Sequence, residues 1–204
     1  MFSLEKEVMK ILSLSIWNKE AEKGVELMSI HDVSQFGYFQ RGSVSEFLKF
    51  TSQFMADRTA PGERKSVKEK EYICHTLVKS DRIGGVLICD EEYPQRVAYS
   101  FILKSLDDFV KKHPKSTWGG TPFPEVPEIK QQFDLFQDPR QADSITQIQG
   151  DLDETKVILY NTIEQVLERG EKLDDIVAKS ENLSLTSKQF YKTAKSTNSC
   201  CTIL

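Results

Sequence analysis

Apolar and polar residues alternate in four short runs within the N-terminal half of the chain. The runs cover residues 10–17, 25–30, 72–78 and 83–89. A period of two is typical of strands that bury one face. The polar stretches 18–24 and 79–82 divide the runs into two pairs, so the pattern predicts two β-hairpins.

Apolar residues at helical spacing predict three helices: one capped by Ser43, one opened by Pro94, and a short one over residues 129–136. Ser43 and Glu46 form a capping-box pattern at the start of the first helix. The first helix ends near Pro61, and Pro114 stops the second. Hairpins packed with helices indicate a small α+β domain with an antiparallel sheet.

Beyond Pro139 the spacing changes to a heptad. Steps of alternately three and four residues from Ile145 give sixteen positions, of which ten are apolar and one is charged. The large apolar members of this seam are Ile145, Ile148, Leu152, Leu159, Val166, Leu173, Ile176, Leu183 and Phe190. A seam of this length predicts a coiled coil.

The single charged seam residue is Arg169, near the centre. A guanidinium in a coiled-coil core loses hydration worth several kcal/mol unless acceptors replace it. Partner helices would therefore supply oxygen atoms around Arg169, which would also fix the register of the bundle. The alternative is that Arg169 extends its charged head to solvent.

Charge and composition argue against several classes of protein. A net charge of −4 argues against a nucleic-acid partner. No run of apolar residues is long enough for a transmembrane helix, and residues 1–8 lack the pattern of a signal peptide, so we expect a cytosolic chain. The three histidines lie in separate elements and no nucleophile motif occurs, so we expect neither a catalytic nor a metal site.

The four cysteines are of two kinds. Cys74 and Cys89 lie in predicted strands, where we expect buried thiols. Cys200 and Cys201 are followed only by residues 202–204, Thr-Ile-Leu, and this ending fits the Cys-a-a-X prenylation signal. The alternative is a frayed tail with two unmodified thiols.

Taken together, these motifs resemble a known family. The seam with Arg169 inside the run 167–173, Leu-Glu-Arg-Gly-Glu-Lys-Leu, resembles the R-SNARE motif of the synaptobrevin class. The preceding domain resembles a longin domain, notably at residues 36–41 and 93–99. With the cysteine ending, the chain is similar to the prenyl-anchored longin-domain R-SNAREs, the YKT-type v-SNAREs, over residues 9–204.

The resemblance implies an α+β fold in two parts. Residues 1–137 would form a longin (profilin-like) domain with a five-stranded antiparallel sheet flanked by helices, of which residues 1–8 are an N-terminal extension. Residues 138–199 would form the helical R-SNARE coiled-coil motif, and residues 200–204 the prenylation signal.

The resemblance also implies a function. The motif would zip with three Q-SNARE helices into a parallel four-helix bundle, in which Arg169 donates to three glutamine carbonyls, and would so drive intracellular vesicle fusion. No cofactor is implied beyond covalent lipid: a prenyltransferase would modify Cys201, and Cys200 would take a second prenyl or a palmitoyl group. Leu204 favours geranylgeranyl by the general rule whereas the family implies farnesyl, so the lipid identity stays open.

The tail chemistry implies reversible membrane association. Three lysines follow the last acidic residue and would attract an anionic leaflet: Lys188, Lys192 and Lys195. We expect a cytoplasmic pool and a bound pool on the cytosolic face of Golgi, vesicle and endosomal membranes.

A contact between the longin domain and the SNARE motif would shelter the seam and the lipid in the cytoplasmic pool. Phe50 matches a position implicated in that closure, although it could equally be an ordinary core residue. Ser180 and Ser187 occupy seam positions and are candidate phosphosites, because a buried phosphate would oppose both zippering and fold-back. The alternative for both is a small hydroxyl that fills a tight layer.

Two other classes of protein share some of these features. A prenylated small GTPase requires a phosphate-binding loop, and no Gly-Lys pair occurs in the chain. A longin-type trafficking adaptor whose helical tail only dimerises remains an alternative to the SNARE.

Overall fold

The computed structural model of the chain describes residues 10–21, 23–119, 122–142 and 157–200, and the side chains of these except 194 and 196–200. Several predicted features lie outside this description: the extension 1–8, the first three seam residues Ile145, Ile148 and Leu152, and Cys201.

One mixed sheet forms the centre of the fold. Its strands are β1 (Ile11–Asn18), β2 (Val25–His31), β3 (Arg64–Glu69), β4 (Tyr72–Val78), β5 (Ile83–Asp90) and β6 (Val157–Tyr160). They lie in the order β2-β1-β5-β4-β3-β6, so β2 and β6 are the edges. The five strands of the N-terminal domain pair antiparallel, whereas β6 runs parallel to β3.

The apolar pattern misses strand β3 because this strand is mostly charged. Its sequence, Arg-Lys-Ser-Val-Lys-Glu, is extended because it pairs with β4 along its whole length. Ser66 and Val67 are its most buried members, on opposite faces. The implied five-stranded antiparallel sheet is present, and β6 is a sixth, parallel strand that neither the pattern nor the resemblance indicates.

Within the described ranges, five α-helices surround the sheet: α1 (Arg41–Asp57), α2 (Gln95–Lys112), α3 (Pro127–Phe136), α4 (Leu173–Lys179) and α5 (Leu185–Cys200). The capping-box prediction for Ser43 is wrong, because α1 begins at Arg41 and Ser43 is buried within its first turn. The Arg41 guanidinium holds the preceding turn instead by donating to the carbonyls of Ser34 and Phe36, both at 3.0 Å.

Alternate residues of the strands bury two separate cores, one on each face of the sheet. Helices α2 and α3 cover one face, where β5 and α2 approach closely at Gly85. A Cβ on Gly85 would lie 2.5 Å from Ile102 Cγ2, so only glycine fits there. Helix α1 covers the other face, and the C-terminal segment, defined here as residues 157–200, packs over α1 and the β3 edge.

The C-terminal segment is not the one continuous helix that the heptad spacing predicts. It consists of strand β6, a 3₁₀ turn (Ile163–Val166), α4 and α5. Gly170, at φ 92°, lies in the turn between the 3₁₀ helix and α4. An isolated amphipathic helix would leave its seam in water, and here the domain buries much of that seam instead.

Candidate functional site

The C-terminal segment meets the domain first at the sheet edge. Residues 157–160 pair with residues 64–67 of β3, and the backbone N–H of Ile163 donates to Glu69 Oε2 at 3.3 Å. This pairing covers the polar backbone groups that a bare edge strand exposes. The side chain of Leu159, a predicted seam residue, remains 62% exposed on this strand.

The second contact is an aromatic and aliphatic cluster on the outer side of α1. Phe50 is only 8% exposed and packs with Val177 and Leu183 of the segment. Phe47 stacks on Tyr191 with ring centroids 5.8 Å apart. Phe50 thus contacts both its own helix, through the Phe54 ring at 6.3 Å between centroids, and the C-terminal segment.

Polar groups reinforce this cluster at both ends. The backbone N–H of Ser184 donates to Glu46 Oε2 at 2.8 Å, and this hydrogen bond lowers the pKa of the Glu46 carboxyl. Further along α1, Asn182 Nδ2 donates to Gln53 Oε1 at 2.6 Å. Ser187 is fully buried and faces the same Glu46 carboxylate.

An ion pair joins the end of α1 to the turn that follows Arg169. The Arg58 guanidinium donates to both carboxylate oxygens of Glu171, at 2.8 and 2.9 Å, and so lowers the pKa of Glu171. The same guanidinium lies over the Phe54 ring, 4.0 Å from its centroid. Arg58 thus links the domain to the turn at the centre of the seam.

An apolar cavity of about 270 Å³ lies between α1, the sheet and the segment. Its walls include Leu12, Val44 and Cys74 of the domain together with Ile163 and Phe190 of the segment. Burial raises the pKa of the Cys74 thiol to about 12, so Cys74 is an unreactive wall residue.

The predicted seam residues fall into three groups. Val166 and Leu183 are buried against the domain, and Leu173, Ile176 and Phe190 are half-buried there. Leu159 and Arg169 are exposed. The other three, Ile145, Ile148 and Leu152, lie outside the described residues.

The two candidate phosphosites have different surroundings. Ser187 is fully buried, whereas Ser180 is half-buried at the end of α4, in a polar cleft shared with Lys23, Arg58 and Lys179. Of the two lipidation candidates, Cys200 is the last residue of α5 and Cys201 lies outside the described residues.

Sequence reasoning missed several contact residues: Glu46, Gln53, Arg58, Ile163 and Val177. The pattern predicts Glu46 as a capping residue, and Gln53 and Arg58 look like ordinary polar residues of a helix surface. Ile163 and Val177 lie one position after seam residues, so a strict heptad count passes over them. No signal in the pattern indicates that these residues form the contact between the domain and the C-terminal segment.

Comparison with known proteins gives the class of this chain. A family model described as Longin, a regulated-SNARE-like domain, matches residues 33–136, and the Synaptobrevin model matches residues 144–201. The chain belongs to the longin-domain synaptobrevin family and is an R-SNARE of vesicle trafficking.

Individual relatives are similar over nearly the full length. The "Synaptobrevin homolog YKT6" of Saccharomyces cerevisiae is 46% identical over 200 residues, which cover 96% of this chain and all of the relative. The "Synaptobrevin homolog ykt6" of Schizosaccharomyces pombe is 45% identical over 196 residues, with the same coverage. These matches confirm the predicted family and favour the SNARE over the trafficking adaptor.

Family membership extends to the general properties of SNAREs. Proteins of this family partner with other SNARE proteins and are in general not enzymes. Among the helices of the described ranges, none is both long and apolar enough to cross a bilayer.

Proposed function

We propose that this R-SNARE zips with three Q-SNARE helices, and that its longin domain holds the C-terminal segment in an autoinhibited conformation until those partners compete for it. It acts by assembly and not by catalysis. Arg169 supplies the guanidinium of the central layer, where three glutamine carbonyls accept its hydrogen bonds.

The observation that supports autoinhibition is that the same seam residues are needed for two interfaces, one with the domain and one with the partner helices. Val166, Leu183 and Ser187 are buried against the domain, yet the same positions are required in the core of a four-helix bundle. One side chain cannot occupy both interfaces at once. Fold-back and assembly therefore exclude each other, and each residue released from the domain becomes available to the partners.

The position of Arg169 is consistent with this exchange. It is exposed in the folded-back chain, so its guanidinium keeps its hydration there. Burial in an apolar layer costs several kcal/mol unless acceptors replace the lost water. Arg169 therefore contributes to choosing the partners and not to closing the chain.

We further propose that a prenyltransferase adds a prenyl group to Cys201 and that Cys200 takes a second prenyl or a palmitoyl group. A single lipid gives marginal, reversible membrane binding and a second makes it stable. The apolar cavity between α1 and Phe190 supports a sheltered lipid in the folded-back chain. The protein then partitions between the cytoplasm and the cytosolic face of Golgi, vesicle and endosomal membranes.

The test of assembly mixes the purified chain with three Q-SNARE helices. We expect an SDS-resistant heterotetramer that Arg169→Ala weakens and Lys172→Ala, an exposed cation three residues away, does not. A homodimer without heterotetramer would support the adaptor instead. For the anchor, membranes are separated in about 1 M salt, which screens charge attraction to the bilayer; Cys201→Ser should then stay in the soluble fraction, and its recovery with membranes there would contradict the proposal.

A further inference from the structure

Helix α5 has two chemically different faces. The inner face carries Ser187, Phe190 and Tyr191 against the domain. The outer face carries Leu185, which is 80% exposed, and the exposed Lys192. The outer face takes no part in the contact with the domain, so it stays available while the chain is folded back.

The outer face forms one wall of a groove between α4 and α5. This α4–α5 groove has a volume of about 690 Å³ and is lined by Val177, Ala178, Leu185, Lys188, Gln189, Lys192 and Lys195, together with Asp174 and Tyr191. Its lining combines the aliphatic side chains of Val177, Ala178 and Leu185 with three lysines, of which Lys192 and Lys195 are exposed.

The charged residues of the groove lining are three cations and one acid. Lys195 is paired with that acid, Asp174, at 2.6 Å, and Lys188 Nζ donates to the carbonyl of Ala178 at 2.9 Å. Glu164, Glu168 and Glu171 line an adjoining cleft that shares Asp174 and Lys195 with the groove, so the basic surface ends at Lys195. A local excess of positive charge in a chain of net charge −4 indicates an anionic partner.

We propose that the α4–α5 groove docks on an anionic membrane surface while the segment is still folded back. Exposed leucine flanked by lysines is the combination by which interfacial helices bind acidic bilayers. Helix α5 also ends at Cys200, eight residues or roughly 12 Å beyond Lys192. This last argument rests on the proposed lipid anchor, which would bring the bilayer to that end of the helix. Membrane recruitment then precedes opening of the chain.

The experiment measures co-sedimentation of the unlipidated full-length chain with phosphatidylcholine vesicles, with and without phosphatidylserine. We expect binding only to the phosphatidylserine vesicles, and its loss in about 1 M salt, where the Debye length is about 3 Å. Each lysine near an anionic leaflet is worth roughly fivefold in affinity, so Lys192→Glu should weaken binding roughly 25-fold. Leu185→Ser should also weaken vesicle binding relative to the wild type, because it removes the apolar contact with the bilayer.

Two matched variants separate the groove from charge in general. Lys111→Glu makes the same charge change on α2, across the sheet, and should leave binding unchanged. Asp174→Asn should strengthen binding several-fold, because Asp174 faces the lysines only when α4 lies beside α5. If α4 and α5 did not pack together, Asp174 would be far from Lys195, which is 21 residues away in the chain, and Asp174→Asn would leave vesicle binding unchanged.

Equal binding to both vesicle types, or equal effects of Lys192→Glu and Lys111→Glu, would overturn the inference. Binding of an acidic peptide without binding of vesicles would assign the groove to a protein partner and would overturn it as well. Assembly with Q-SNARE helices is measured separately. A chain that assembles normally but ignores anionic vesicles refutes this inference alone.

Discussion

Replacement of Phe50 by glutamate tests whether the domain holds the C-terminal segment closed. Phe50 is 8% exposed, and its neighbours in the cluster are Val177 and Leu183 of the segment. A glutamate there removes the aromatic ring from its contact with Val177 and Leu183, and puts a carboxylate beside the polar cleft that Phe50 also lines. Release of the segment returns the carboxylate to water.

The size of the effect follows from this burial. Loss of a buried phenylalanine ring costs about 3–5 kcal/mol. A loss of about 3 kcal/mol shifts the closed-to-open ratio by roughly a hundredfold or more. If the folded-back conformation of the wild type is more stable than the open one by less than this free energy, the variant is mostly open.

Small-angle scattering measures the change directly. A compact chain of 204 residues has a radius of gyration of about 17 Å, and release of a 60-residue tail raises it by roughly 5 Å. Phe39→Glu is the matched control, since Phe39 is 94% exposed in the loop before α1 and its variant should stay compact. Protected amides in β4 and β5 would establish that the domain remains folded. An unchanged radius with an intact domain would refute closure through Phe50.

Two further predictions concern a buried hydroxyl and a buried imidazole. Ser187→Asp should also expand the chain, because it places a second carboxylate beside Glu46 in a fully buried position. The same substitution at the exposed neighbour, Thr186→Asp, should leave the chain compact. Equal radii of gyration for the two variants would contradict this prediction. His75 is buried against Ser66 Oγ, 2.7 Å from its Nδ1, and burial lowers its pKa to about 4, below the value of about 6.5 of an unfolded chain. As the pH is lowered, His75 therefore takes up a proton in the unfolded chain before it does so in the folded chain. The free energy of unfolding decreases between about pH 6.5 and pH 4, and has decreased by roughly 2 kcal/mol at pH 5. Urea unfolding of the wild type and of His75→Leu should show this slope only in the wild type, and equal slopes would mean that His75 is not its source.

The sequence indicates more of the domain than of the site. Both hairpins and the three domain helices follow from apolar periodicity, because each buries one face against the same sheet. Strand β3 does not, since its charged residues become extended only by pairing with β4. Ser43 was misplaced because a capping pattern inside a helix looks the same as one at its start.

The contact residues of the site are decided by tertiary structure for a related reason. Glu46 and Arg58 have ordinary helix-surface patterns, and their partners Ser184 and Glu171 are more than a hundred residues away in the chain. Nothing local distinguishes them from solvated polar residues. Only the fold brings α1 and the segment together.

By itself, the sequence determined the α+β class of the domain, the heptad seam with Arg169 at its centre and the two cysteines near its end. The periodicity of apolar residues indicates which side chains are buried, because the hydrophobic effect favours their removal from water. It does not indicate which surface they pack against. In this chain the tertiary structure directs much of the seam onto α1 and the β3 edge, so residues patterned for a coiled coil form a strand, a turn and two helices.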